Sequence, residues 1–175
     1  AVITAAMPDG TGMSAFAKIY PKRFFDVGIA EECAATLTGG LAIGGSLPVL
    51  ALYSTFMQRA YDQILEDIVL QNVHAVLAID RAGLVGYDGE THHGIFDLSY
   101  LGSMLSQMPG VTLWSPETYS ELWSCLDKCV GGSGLCAVRY PKGKEREYDR
   151  SGFKNRGSFT VLDPDGGADC DVAVV

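Results

Sequence analysis

Pro48-Val49-Leu50-Ala51-Leu52-Tyr53-Ser54-Thr55-Phe56-Met57-Gln58-Arg59-Ala60-Tyr61-Asp62-Gln63 decides how the chain is read. Its apolar opening, residues 48–52, reads as a buried strand. A polar-aromatic turn follows, then a helix whose apolar residues recur at Met57, Ala60, Ile64 and Ile68. The pattern repeats at once, with a strand over residues 75–79 and a Gly-rich loop over residues 80–94. Open α/β sheets bind ligands beyond the carboxyl ends of their strands, so the polar clusters after these two strands are candidates for one site.

Outward from this stretch the alternation continues in both directions. Residues 2–5 read as a first strand, with Thr11 available to cap a helix that presents Met13, Phe16, Ala17 and Tyr20 on one face. Residues 24–27 form a short second strand, and Gly28-Ile29-Ala30 turns into a helix beginning near Glu31. Ala30, Ala34, Leu37 and Leu41 give that helix an apolar face, and Gly39-Gly40 and Gly44-Gly45 loosen its end. Further on, residues 96–105 hold one or two short helices and residues 111–114 a strand. Ser115-Pro116-Glu117 reads as a helix start, with a capping Ser, Pro at the first helical position and an acid in the first turn. Tyr119, Leu122, Trp123, Leu126 and Val130 would be its buried face, and Gly131-Gly132 its close. Residues 135–138 make a sixth strand, with Arg139 at its end. Strands alternating with helices imply a three-layer α/β/α fold around a mainly parallel six-stranded sheet. Residues 1–143 are expected to form this domain, residues 144–170 an unpatterned, charged and Gly-rich linker, and residues 171–175 the start of a following C-terminal domain.

At 175 residues the chain can bury a proper core, and a 47% apolar fraction is that of a globular fold. A net charge of −8 without a basic stripe argues against a nucleic-acid surface. The longest apolar run, around residues 41–53, is broken by Gly44, Gly45, Ser46 and Pro48 and is too short to span a bilayer. No signal-peptide pattern opens the chain. Cys33, Cys125, Cys129, Cys136 and Cys170 show neither a CxxC nor a zinc spacing. They read as reduced, packed thiols of a cytoplasmic protein. There is no initiator Met, residues 1–6 already read as core strand, and residues 171–175 read as a strand just beginning. These ends are expected of a piece of a longer chain, either excised or encoded as a split subunit.

Several residues could carry chemistry. Glu31 opens a helix after a strand and a Gly turn, where a carboxylate gains about 0.3–1 kcal/mol from the helix dipole. Glu32 beside it could supply that gain, which leaves Glu31 open to another role. Tyr53 and Phe56, with Ser54, Thr55, Gln58 and Arg59 around them, suit a flat heterocycle on an aromatic floor. The 80–94 loop gathers Arg81, Asp88, His92 and His93 among four glycines. Adjacent histidines on a loop rarely point at one ion, so a proton-handling or hydroxyl-binding His is preferred to a metal site. Arg81 and Arg139, both at strand ends, suit a phosphate or carboxylate, with surface ion pairs as the plain alternative.

These phrases meet in one family. Phe25-Asp26-Val27-Gly28-Ile29-Ala30-Glu31, the Tyr53 to Gln63 phrase, Asp80-Arg81-Ala82-Gly83-Leu84-Val85-Gly86, Asp88-Gly89-Glu90-Thr91-His92 and Arg139-Tyr140-Pro141 together resemble the 1-deoxy-D-xylulose-5-phosphate synthase family. The likeness is to its central, transketolase-like pyrimidine-binding domain, with the thiamine-diphosphate-binding fold. Transketolases and pyruvate dehydrogenase β-type subunits share the acid and the fold, but not the wording of the two middle phrases. The resemblance implies a thiamine-diphosphate-dependent transferase that joins pyruvate to D-glyceraldehyde 3-phosphate with loss of CO2, feeding isoprenoid and thiamine biosynthesis. It gives Glu31 the hydrogen bond to N1′ of the aminopyrimidine, and Phe56, with Tyr53, the face of that ring. His92 is implied as a second catalytic residue, with Tyr53, Arg59, Arg81, Asp88, His92 and Arg139 on the substrate side. No metal ligand is expected from this chain: Mg2+ and the diphosphate would be held by an N-terminal domain, whose Gly-Asp-Gly motif does not occur in this sequence. The implied partners are the enzyme's own N- and C-terminal domains and a second copy in a homodimer, with neither nucleic acid nor membrane involved. Cys33 stands where the family usually has His. A non-catalytic dimerisation or scaffold domain is the competing reading.

Overall fold

The computed structural model describes residues 1–145, and the backbone of Phe153–Asn155 and Thr160–Leu162. Two compact units result, Ala1–Gly143 and Lys144–Val175. The first contains six parallel strands: β1 (Val2–Thr4), β2 (Phe24–Asp26), β3 (Val49–Tyr53), β4 (Ala75–Asp80), β5 (Val111–Trp114) and β6 (Leu135–Arg139). They lie in the order β2-β1-β3-β4-β6-β5. All carboxyl ends therefore share one rim. In the second unit β7 (Phe153–Asn155) and β8 (Thr160–Leu162) pair antiparallel, within a stretch whose sequence has no strand period. The strand start expected at residues 171–175 and Cys170 lie outside the described residues.

β4 is buried at all six positions. This is why its sequence is a continuous apolar run rather than an alternation: a central parallel strand is covered on both faces. Leu77 and Ile79 join one core with Ile3, Leu50, Leu52, Met57, Ile64 and Ile68. Val76 points the other way, into a smaller core with Val138, Cys125, Cys129 and Cys136. Helix α1 (Ser14–Ile19) follows β1, α2 (Glu31–Ile43) follows β2, α5 (Asp97–Gln107) precedes β5 and α6 (Tyr119–Val130) precedes β6. Between β3 and β4 the helical path changes type repeatedly: α3 (Ser54–Met57), a 3-10 turn (Gln58–Ala60), α4 (Tyr61–Gln63), then a π-helical stretch (Ile64–Val69). Met57, Ala60, Ile64 and Ile68 are nonetheless all fully buried. The apolar spacing sets the face, and the changes of winding keep it on the sheet.

Several local expectations are corrected. Thr11 does not cap α1; its hydroxyl donates to the Met7 carbonyl at 2.7 Å, and no residue of α1 is buried. Helix α2 runs through Gly39 and Gly40 and stops at Ile43, with Gly44 as its C-cap and Gly45 at φ +82°, so of the two glycine pairs only the second marks its end. The stretch 96–105 holds a single helix, α5, which begins at Asp97 with Phe96 at its N-cap. Helix α6 starts at Tyr119 rather than at Pro116, capped by Thr118, whose Oγ1 accepts from the Glu121 N–H at 3.1 Å. Its buried residues are Cys125 and Cys129, flanked by half-buried Leu122 and Leu126, whereas Trp123 is 70% exposed and Tyr119 and Val130 are exposed as well. The thiols are packed as expected at positions 125, 129 and 136, but Cys33 is exposed.

Candidate functional site

The site begins where β2 ends. Asp26 Oδ1 accepts from the N–H groups of Ala6 at 2.8 Å and Gly28 at 3.0 Å, fixing the turn that leads into α2. Gly28 lies at φ +74°, in the left-handed region that favours glycine. The turn sets Glu31 at the first position of α2, only 2% exposed, while Glu32 faces solvent. A carboxylate removed from water needs a strong partner. Arg59 provides one, its Nη1 donating to Glu31 Oε1 at 2.8 Å. The Arg59 side chain itself remains 49% exposed.

Tyr53 closes β3 and Phe56 lies on α3, so the strand-to-helix junction delivers two rings to the rim. They stack with centroids 5.9 Å apart and planes 21° apart. His92 meets Phe56 edge-on at 5.1 Å. The Arg59 guanidinium lies over the same Phe56 ring, 5.0 Å from its centroid. His93 has a different position: its Nδ1 accepts from the Val85 N–H at 3.1 Å and braces the loop.

Arg81 is the most heavily engaged cation. Its Nη1 donates to Asp80 Oδ2 at 2.9 Å and to the Gly10 carbonyl at 3.0 Å, and its Nε to Asp88 Oδ2 at 2.9 Å. The guanidinium also lies 3.7 Å from the Tyr53 ring centroid. The residue sits at φ +59°, a left-handed conformation unusual for a non-glycine residue. Glycine is required opposite it, because a Cβ on Gly10 would fall 1.6 Å from the Tyr53 hydroxyl. Burial pushes the Tyr53 phenol above its ordinary range, opposed by Arg81 and reinforced by Asp80 and Asp88. Burial also raises the Asp80 carboxyl, against the hydrogen bonds from Arg81. Asp88 moves the other way, its carboxyl held low by hydrogen bonds from Lys142 and Arg81.

Arg139 belongs to a neighbouring arrangement. Its Nε and Nη2 grip Asp97 at 2.8 and 3.3 Å, and its Nη1 reaches Ser115 Oγ at 3.2 Å. This contact engages the hydroxyl that the sequence suggested as a helix cap. Asp97 is 1% exposed.

The rim thus brings Glu31, Arg59, Phe56, Tyr53, Arg81, Asp88 and His92 into one chain of contacts. Arg139 stands beside it on Asp97 and Ser115. Sequence reading passed over Asp97, Lys142, Asp80 and Gly10. The signal available for Asp97 was an acid at the start of a helix, which resembles any dipole-favoured carboxylate. Among the described residues no group of three or more His, Cys, Asp or Glu is placed to hold a metal ion, and no helix is long and apolar enough to cross a membrane. A cavity of about 270 Å³, lined by Thr36, Gly39, Gly40, Ile43, Asp67 and Gln71, shares no residue with the rim cluster.

Fold and rim together define a transketolase-type α/β domain. A transketolase from Campylobacter jejuni has the same fold, with a TM-score of 0.71 at 18% identity over 84% of this chain and 23% of that one. A split-gene transketolase, described as an inactive β4 tetramer, aligns with a TM-score of 0.68 at 25% identity, over 86% of this chain and 48% of that one. The chain belongs to the family described as transketolase, pyrimidine binding domain, which it matches over residues 1–147. It is 55% identical over 147 residues to 1-deoxy-D-xylulose-5-phosphate synthase of Clostridium kluyveri, covering 84% of this chain. It is 57% identical over 141 residues to 1-deoxy-D-xylulose-5-phosphate synthase 1 of Geobacter sulfurreducens, covering 81% of this chain. The chain spans 23% and 22% of the lengths of these two relatives.

Proposed function

We propose that this chain is the pyrimidine-binding domain of a thiamine-diphosphate-dependent synthase that condenses pyruvate with D-glyceraldehyde 3-phosphate, with decarboxylation, to 1-deoxy-D-xylulose 5-phosphate. The carrying observation is Glu31, a carboxylate 2% exposed at a helix start, with Phe56 alongside through their shared neighbour Arg59. A buried acid beside an aromatic face fits an aminopyrimidine, which needs one hydrogen-bond partner in its plane and one apolar surface on its face. The identity to synthases from two organisms favours this substrate pair over that of the transketolases. When bound, thiamine diphosphate supplies the carbanion stabilisation that protein side chains lack.

In this reading Glu31 shares a proton with the ring nitrogen N1′, and Phe56 and Tyr53 hold the aromatic floor. His92, edge-on to Phe56, handles a proton on the substrate side. Arg81 and Arg139 offer their unengaged N–H groups to the phosphate of the aldehyde, and Asp88 orients Arg81 through its Nε. The diphosphate and its Mg2+ belong to a separate N-terminal domain, and the working enzyme is a cytoplasmic homodimer. A separately encoded subunit is a second reading, favoured by the likeness to the split-gene transketolase.

Glu31→Gln in the full-length enzyme tests the proposal. It is expected to slow deuterium exchange at C2 of bound thiamine diphosphate by about a hundredfold or more, the scale of lost acid–base assistance. Unchanged exchange would refute the role and favour a scaffold domain.

A further inference from the structure

Arg59 makes two contacts at once. Its Nη1 donates to the buried Glu31 carboxylate at 2.8 Å, and its guanidinium lies 5.0 Å over the Phe56 centroid. These are the two contacts that the proposed function gives to the aminopyrimidine: a hydrogen bond with Glu31 and a face against Phe56. A guanidinium and an aminopyrimidine are both flat, nitrogen-rich groups, and one such place holds only one of them. We infer that Arg59 and the cofactor's pyrimidine ring compete for the Glu31–Phe56 slot, so that cofactor binding drives Arg59 outward to the substrate side. The inference rests on the reading of Glu31 and Phe56 as the cofactor pair.

Exposure and backbone both favour Arg59 as the partner that moves. Glu31 is fixed on α2 and only 2% exposed, whereas the Arg59 side chain is 49% exposed and opens directly to water. Arg59 sits on the 3-10 turn Gln58–Ala60, between α3 and α4. Such turns within a helical path are common hinge points. Phe56 precedes that turn on α3 and stays behind when the side chain swings. The exchange also changes the chemistry at Glu31. A guanidinium never surrenders its protons, so it can only donate to the carboxylate; a ring nitrogen can share a proton with it. The expelled cation is then available to an anionic substrate beside the same ring. Occupation of the cofactor slot and arming of the substrate side become one event.

The test uses the full-length protein and reads thiamine diphosphate affinity by calorimetry at saturating Mg2+, with pyruvate KM as a second readout. Arg59→Met keeps the length and removes the hydrogen bond, so thiamine diphosphate should bind about tenfold more tightly, the low end for a charge-assisted hydrogen bond whose donor is half exposed. Pyruvate KM should rise in the same variant. Opposite movements distinguish displacement from a general structural defect, which would weaken both. Arg59→Lys keeps the charge without the planar fork and should fall between parent and Arg59→Met. Equal or weaker cofactor binding by Arg59→Met, with parent-like melting, would overturn the inference and leave the proposed function standing. Failure of the parent itself to bind thiamine diphosphate would overturn both.

Discussion

Replacing Asp97 by Ala tests whether the rim is held by buried charge pairs. Asp97 is 1% exposed and accepts three hydrogen bonds, from Arg139 Nε at 2.8 Å, Arg139 Nη2 at 3.3 Å and the Leu98 N–H at 2.9 Å. The Arg139 side chain is itself only 16% exposed, so the substitution strands a cation. Breaking a buried pair from one side typically costs about 3–5 kcal/mol. The longer Nη2 contact and the bond that Arg139 keeps to Ser115 put the expected cost at the low end, about 3 kcal/mol. At about 2–4 °C per kcal/mol for a chain of this size, melting should fall by roughly 6–12 °C. Urea titration followed by far-UV circular dichroism measures the loss directly. Asp97→Leu with Arg139→Met should regain most of it, because an apolar pair of similar volume is often neutral against a buried ion pair. A single-variant cost below about 1 kcal/mol, or a double variant as costly as the sum of the singles, would refute the reasoning.

Other outcomes follow from the same contacts. Gly39→Ala would place a Cβ 2.4 Å from the Asp67 carbonyl, and the roughly 1–3 kcal/mol of overpacking should exceed the gain of about 1 kcal/mol in helix propensity, lowering the melting temperature. Gly40→Ala, with nothing within 4 Å, should raise it. The Asp88 carboxyl titrates lower in the folded chain than in the unfolded one, so its contribution is present above the unfolded value of about 3.9 and lost as pH falls through the lower folded value. The stability gap between parent and Asp88→Asn should therefore close as an acid titration proceeds. Arg81→Ala in the full-length enzyme should raise the aldehyde KM roughly ten- to hundredfold with pyruvate little changed; equal damage to both would make Arg81 a scaffold for Tyr53 and Gly10.

The strands were legible because parallel strands covered on both faces leave continuous apolar runs: the run at residues 48–52 is one residue off β3 at both ends, and the run at residues 75–79 shares its start with β4 and stops one residue short of its end. Glu31 was legible because a strand, a Gly turn and a helix start place it at the rim. What escaped was decided by tertiary competition. Ser115 has the right surroundings for a cap, yet it bonds to Arg139, while Thr118 finds its donor at Glu121. Trp123 and Cys125 both suit a buried helix face by composition, and the sheet takes the smaller Cys125. The three acceptors of Arg81 come from Gly10, Asp80 and Asp88 in space; sequence shows only that an arginine follows a strand. The Arg59–Glu31 pair spans 28 residues, and no local pattern announces it.

The uneven treatment of the thiols gives the domain a built-in address for spectroscopic labels. Burial pushes the Cys129 thiol up to about 12, with Cys136 and Cys125 adding to the effect, and burial likewise raises Cys125. Thiols kept protonated and out of solvent react slowly with maleimides and iodoacetamides. Cys33 is exposed and lies two positions beyond Glu31 on α2. With Cys170 replaced by Ser, a nitroxide or fluorophore added under mild conditions would settle at Cys33. The domain thereby carries a native labelling position on the solvent side of the helix that its buried acid opens.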